Sequence, residues 1–233
     1  MNVPFFYENF EKPEGLVLGA ENIHYLLNVL RMRSGEPITI VNGRGTSVAA
    51  VLQVSGKRTA EIDIRQVSQD DPVSVGLHIA IAFTKNTSRI EWFLEKATEM
   101  GVQTISPLIT MRSEKTFFRK ERFEKILISA MLQSQQTFLP ELTEPLSLAE
   151  IVRSSTGQKF IAWCGNDTPK ATLLSKLAGG KQTLILIGPE GDFTADEVHL
   201  CREHAFEAIS LGKNRLRTET AGVFVCALFN AIQ

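Results

Sequence analysis

Two loops of this 233-residue sequence carry side chains that could do chemistry, and each follows an apolar, strand-like run. The first is Gly188-Pro189-Glu190-Gly191-Asp192, between Leu184–Ile187 and a helix start at Thr194. Strand, glycine turn and helix is the layout of many phosphate cradles, which need convergent backbone N–H groups and usually a lysine. Here Pro189 removes a donor, no lysine stands in the turn, and Glu190 and Asp192 put negative charge where a phosphate would sit. A G-x-G-x-x-G fingerprint is absent too. The turn argues against phosphate. It leaves open backbone contacts to an uncharged adenosine, acids beside a cationic ligand, or a plain tight turn.

The second loop lies in Ser210–Val223, where Lys213, Arg215 and Arg217 stand beside Thr218, Glu219 and Thr220, just ahead of an apolar helix. Such a polar cluster is unfavourable there unless its members pair with one another or meet a ligand. An Arg217–Glu219 ion pair is the structural alternative. Two glycine loops after successive strands would share the carboxyl edge of a sheet, where open α/β sheets bind ligands. One is acidic and one basic, which suits a ligand with a positively charged part and an anionic partner.

The surrounding elements are of two kinds. Residues 1–70 read as strands, with turn signals at Asn42-Gly43, Gly45 and Ser55-Gly56. One helix is expected over "GAENIHYLLNVLRMRSG", so a small β-barrel with a short helix is the natural architecture. Ser68–Gly76 reads as a linker. Over residues 71–233 strands and helices alternate, which predicts an α/β domain with a mainly parallel sheet. Its strands are expected in "LHIAIAF", "TISPLIT", "KFIAWC", "LILIG" and "EAISLG". Capping boxes are expected at Ser88/Glu91, Ser147/Glu150 and Thr194/Glu197, and Gly101 ends the first helix. Val198, Cys201 and Ala205 are expected to face the core. The last helix, "ETAGVFVCALFNAI", is apolar nearly all round and should be buried on most sides.

Composition narrows the class. The net charge of −1 does not advertise nucleic-acid binding, although Arg112–Lys125 carries six bases against three acids. No apolar run is long enough to span a bilayer, and the N-terminus lacks a signal-peptide pattern. Cys164, Cys201 and Cys226 are odd in number, widely spaced and set in apolar segments, so buried thiols are expected, with neither a disulfide framework nor a metal site. A reducing cytoplasm fits these features.

The two loops together, "GPEG-D-F-T-x-x-E" and "LG-x-x-x-L-R-T-E-T-A", resemble the ribosomal RNA small-subunit methyltransferase E (RsmE) family of the SPOUT class. The likeness extends to "RIEWFLEKATEMGV", "ISPLITMRS" and "HYLLNVLRMRSGEPITIVNGRG", and so covers nearly the whole chain. There are departures. Asp192 stands where the family usually has glycine, and Arg215 precedes Leu216-Arg217 where it usually has isoleucine. Leu132-Gln133 replaces a glutamate–glutamine pair, and Gln135-Gln136-Thr137 replaces a run with an arginine.

The resemblance implies a trefoil-knotted, dimeric SPOUT domain with a PUA-like RNA-binding domain ahead of it. It also implies S-adenosylmethionine (AdoMet) as cofactor and methylation of N3 of one uridine in 16S rRNA, in the decoding region. Alternatives are a SPOUT enzyme for another rRNA or tRNA base, or an RNA-binding protein without catalysis. By motif, Gly188, Pro189, Glu190 and Gly191 would form one cofactor loop and Leu211, Gly212, Asn214 and Leu216 another. Thr110 and Thr220 would lie close to them. Arg217 would stabilise charge on the uridine, with Glu219 orienting it or taking the proton. Arg31, Arg33, Arg112, Lys115, Arg119, Lys120 and Arg122 would contact RNA phosphates, with the assembled small subunit as the expected substrate.

Overall fold

The computed structural model describes residues 3–72, 74–114, 118–154, 156–165 and 170–232. Two compact units make up the chain: Met1–Pro72 with Met131–Leu139, and Val73–Ala130 with Pro140–Gln233.

The first unit is built on β1 (Phe5–Tyr7), α1 (Ala20–His24), β2 (Pro37–Val41), β3 (Thr46–Gly56) and β4 (Thr59–Gln69). They form a four-stranded sheet in the order β1-β2-β3-β4, parallel between β1 and β2 and antiparallel elsewhere. Alternate residues of β3 (Val48, Ala50, Leu52) turn inward onto Phe6, Leu26, Ile38 and Ile40, as a half-buried sheet requires. The single helix expected in this unit is instead α1 followed by a wider π turn over Tyr25–Val29, and Arg31 beyond it has φ 56°. The departures from the family pattern at Leu132-Gln133 and Gln135-Gln136-Thr137 lie in Met131–Leu139, which belongs here. Gly45 N–H donates to the Thr137 carbonyl at 3.0 Å and Leu139 N–H to the Gly43 carbonyl at 2.9 Å. Gly45 has φ +88°, and a Cβ there would stand 2.5 Å from Phe138 Cζ, so this close approach requires glycine.

The second unit runs β5 (Leu77–Ile81), α2 (Thr87–Glu99), β6 (Thr104–Ile109), α3 (Lys120–Gln133), β7 (Glu141–Leu142), β8 (Leu146–Ser147), α4 (Leu148–Ser154), β9 (Gln158–Ala162), α5 (Leu173–Lys176), β10 (Thr183–Ile187), α6 (Ala195–Glu203), β11 (Glu207–Ile209) and α7 (Thr218–Ala231). Its strands pair in parallel in the order β11-β9-β10-β5-β6-β7, with β8 beside β6. All five residues of β10 are buried, as a central strand covered on both faces demands.

Local chemistry sets most helix ends. Thr194 and Glu197 close the expected capping box on α6, and Ser147 and Glu150 exchange hydrogen bonds at the start of α4. On α2 the expected cap is displaced: Asn86 accepts from Arg89 N–H, while Glu91 turns to Arg122 Nε at 2.5 Å. Ala205 does not face the core. It is exposed with φ 63°, just past the end of α6. The last helix buries one face, Ala221, Gly222, Val225, Cys226 and Phe229, and exposes Phe224. Cys201 and Cys226 are buried thiols, but Cys164 is exposed because it lies in a loop beyond β9.

His78, on β5, meets Ser106 Oγ at 2.8 Å, and burial pushes its pKa from 6.5 down to about 4. The fold therefore holds a neutral imidazole where the unfolded chain is already protonated. This contribution to stability is whole above pH 6.5 and is lost as pH falls through 4. Between pH 7 and pH 4.5 the wild type should lose about 2 kcal/mol more than His78→Gln, read by urea unfolding at the two pH values.

Candidate functional site

Strands β9, β10 and β11 are neighbours and parallel, so their carboxyl ends open onto one edge of the sheet. The loops that follow them wall a cleft of about 1200 Å³. Trp163, Cys164, Gly165 and Lys170 form the wall beyond β9. Gly188, Pro189, Glu190 and Asp192 form the wall beyond β10, and the run Ser210–Arg217 that beyond β11. Ile187, Ile209 and Ala221 add apolar surface, and Thr218 stands where α7 begins.

The walls are tied to one another. Thr218 Oγ1 donates to the Gly188 carbonyl at 3.1 Å, fixing the start of α7 against the end of β10. Arg215 Nη2 donates to the Glu190 carbonyl at 2.8 Å, joining the basic loop to the acidic one. Arg112 Nη1 donates to the Gly191 carbonyl at 2.6 Å. Glu197 is buried because its carboxylate does two jobs: it closes the α6 capping box and accepts from Met111 N–H at 2.8 Å. Asp192 has φ 60°, the left-handed conformation that glycine adopts most easily and aspartate tolerates. This accounts for the glycine the family pattern places there. Lys170 lies 4.6 Å from the Trp163 ring centroid and bonds the Gly165 carbonyl.

Of the cofactor residues expected from sequence, Gly188, Pro189, Glu190, Leu211, Gly212, Asn214 and Leu216 line the cleft. Thr110, Gly191 and Thr220 are not among its lining residues. Thr110 is buried and bonds Ser113 Oγ through its backbone N–H at 3.0 Å, and Thr220 is exposed on the first turn of α7. Arg217 lines the cleft as the N-cap residue of α7. The Arg217–Glu219 pair does not form: buried Glu219 meets Arg89 Nε at 3.6 Å instead. Among the expected phosphate contacts, Arg31, Arg33 and Arg119 are exposed. Lys120 pairs with Glu144 at 2.7 Å and Arg122 with Glu91 at 2.5 Å, so neither cation is idle. Lys115 lies outside the described residues. Sequence reading passed over the wall beyond β9, although "FIAWCG" also ends a strand in glycine.

The lining fits a nucleoside joined to an amino-acid tail. Glycines admit close backbone approach: Gly212 has φ +137°, and a Cβ on it would meet nothing within 4 Å, so conformation and not crowding calls for glycine. Apolar side chains offer a seat for a purine face, Glu190 and Asp192 favour a positive centre, and Lys170, Lys213 and Arg215 can receive a carboxylate. Among the described residues no cluster of three or more His, Cys, Asp or Glu could hold a metal ion, and no helix is long and apolar enough to cross a membrane.

Comparison with known proteins agrees with this geometry. A crystal structure of a probable rRNA-methyltransferase from Porphyromonas gingivalis superposes with a TM-score of 0.92 at 32% identity, covering 99% of this chain and 98% of the other. A ribosomal RNA small subunit methyltransferase E from Neisseria gonorrhoeae, bound to S-adenosyl methionine, gives 0.84 at 28% identity, covering 99% and 98%. The ribosomal RNA small subunit methyltransferase E of Synechocystis sp. is 29% identical over 93% of this chain and 73% of its own length. Residues 71–230 match the RNA methyltransferase domain and residues 18–65 the RNA methyltransferase PUA domain, and the chain belongs to that RNA methyltransferase family.

Proposed function

We propose that this protein is an AdoMet-dependent methyltransferase that modifies N3 of one uridine in 16S rRNA, in the decoding region of the small subunit. The observation that carries the proposal is the three-walled cleft at one sheet edge, with Arg217 standing at its rim where α7 begins. The cofactor supplies an electrophilic methyl group on a sulfonium, and the protein supplies position and electrostatics. The loops beyond β10 and β11 would hold adenine and ribose largely through backbone groups. Uridine N3 is a poor nucleophile while protonated. The Arg217 guanidinium, aided by the positive end of α7, lowers the cost of the negative charge that develops as the N3 proton passes to solvent water. Glu219 acts at one remove, since it is committed to Arg89. Arg31, Arg33, Arg112 and Arg119 would meet phosphates, which position RNA without reading its sequence.

The near-neutral net charge of −1 supports a shaped, assembled particle as substrate over free RNA. We place the enzyme in the cytoplasm, as a knotted homodimer. Trp92 on α2 and Phe224 on α7, 43% and 38% exposed on helices that pack together, support the dimer. A monomer in sedimentation at micromolar concentration would overturn it.

Two measurements test the reading. The purified protein should bind AdoMet in a calorimeter, and 16S rRNA from a deletion strain should lack one N3-methyluridine that the cloned gene restores. Loss of a methyl group from tRNA or from another base would reassign the substrate. Equal activity on naked 16S rRNA and on assembled subunits would count against the particle as substrate.

A further inference from the structure

We infer that Asp192 is a positioning residue whose carboxylate latches the loop beyond β9 onto the loop beyond β10, setting the width of the cofactor cleft. The inference rests on the AdoMet reading above. The ladder between β9 and β10 ends at the Ala162–Ile187 pair. Past that point the sheet no longer holds the two chains together, yet both walls continue outward to line the cleft. Asp192 resumes the tie. Its Oδ2 accepts from Cys164 N–H at 2.9 Å, across 28 positions of sequence, while its Oδ1 accepts from its neighbour Phe193 N–H at 2.8 Å. Each carboxylate oxygen thus serves a backbone N–H in a different loop.

The backbone at Asp192 makes the side chain informative. With φ 60° the position is one that glycine fills without strain, so the turn itself does not call for a carboxylate. The chain accepts a less favourable conformer and gains a hydrogen bond to the opposite loop. Next to Cys164 the backbone packs closely on its own side chain: a Cβ on Gly165 would lie 2.1 Å from the Trp163 ring. Fixing Cys164 therefore fixes Trp163 and Gly165, which line the same wall. A preformed wall spares the cofactor the cost of ordering it.

Asp192→Gly keeps the turn and removes the latch, while Asp192→Asn removes the charge and keeps an oxygen that can accept from Cys164. In ligand-free protein, hydrogen exchange at the Cys164 amide should be at least tenfold faster in D192G than in wild type. AdoMet affinity measured by calorimetry should fall about tenfold in the same variant. D192N should restore both to within about threefold of wild type. Unchanged AdoMet affinity in D192G, or D192N as weak as D192G, would overturn the latch; the second result would assign the effect to charge. Failure of the wild type itself to bind AdoMet would sink the functional reading, while the Cys164 amide would still decide whether the latch exists.

Discussion

Replacing Arg217 by alanine should lower methyl transfer by about 10²–10³-fold, the range found when one preorganised donor is removed from a developing anion. AdoMet affinity should stay within several-fold of wild type, because adenine and ribose are assigned to the loop backbones and not to this side chain. Two features of the fold make the separation clean. Arg217 precedes the first turn of α7 with extended backbone, φ −71° and ψ 156°, so truncating its side chain leaves the helix start intact. That start is fixed by Thr218 on the Gly188 carbonyl and by Ala221 N–H on the Arg217 carbonyl at 2.8 Å, and neither bond uses the guanidinium. Burial of Glu219 against Arg89 also means that loss of Arg217 strands no buried carboxylate. The measurement is single-turnover transfer beside calorimetric AdoMet binding, with a melting curve as control. A matching loss of cofactor binding would make Arg217 a cofactor or structural residue.

Phe93→Ala should be the most destabilising single truncation proposed here, by about 3–5 kcal/mol, the range for deleting a buried aromatic side chain. Phe93 is fully buried on α2, and its ring lies against Gly222 of α7. A Cβ on Gly222 would come within 2.4 Å of that ring and 3.1 Å of Ile81 Cδ1, so glycine in mid-helix is required by the crossing of α2 and α7. Gly222→Ala gains about 1 kcal/mol of helix propensity but overpacks the site, and should be net destabilising. Combined with Phe93→Ala it should cost less than the sum of the single changes, because the new methyl enters the space the ring vacates. Chemical unfolding of the four proteins closes this cycle. Strict additivity would show that the two residues do not press on one another. Since Arg217 is the N-cap of α7, loosening this crossing should also lower transfer.

How much of this was legible in the sequence depends on the range of the interaction. The five longer strands of the second unit, the Thr194/Glu197 and Ser147/Glu150 boxes and the Gly101 stop are local signals, and they read correctly, whereas the two-residue β7 and β8 were not expected. Where a local signal had a close competitor, it misled. Asn86 took the cap expected of Ser88, and Arg122, 31 residues on, took Glu91. The run Gly19–Gly35 looked like one continuous helix, but a π turn and a left-handed Arg31 break it.

The sequence by itself determined that two glycine loops, one acidic and one basic, end strands of an α/β unit, and its residues at the first argue against phosphate. It also carried the motifs by which the family is identified. Tertiary structure alone decided the rest. Setting β9 between β11 and β10 pairs segments some 25 to 50 residues apart, such as Phe160 with Ile185 and with Glu207. No periodicity or turn residue encodes that order, because strand order follows from which faces the helices cover. From it came the third wall, Trp163–Gly165 with Lys170, and the bond from Cys164 N–H to Asp192, while the packing of α2 on α7 set the Arg89–Glu219 pair in place of Arg217–Glu219. A residue that looked only like a departure from a glycine pattern thus joins two walls of the cleft.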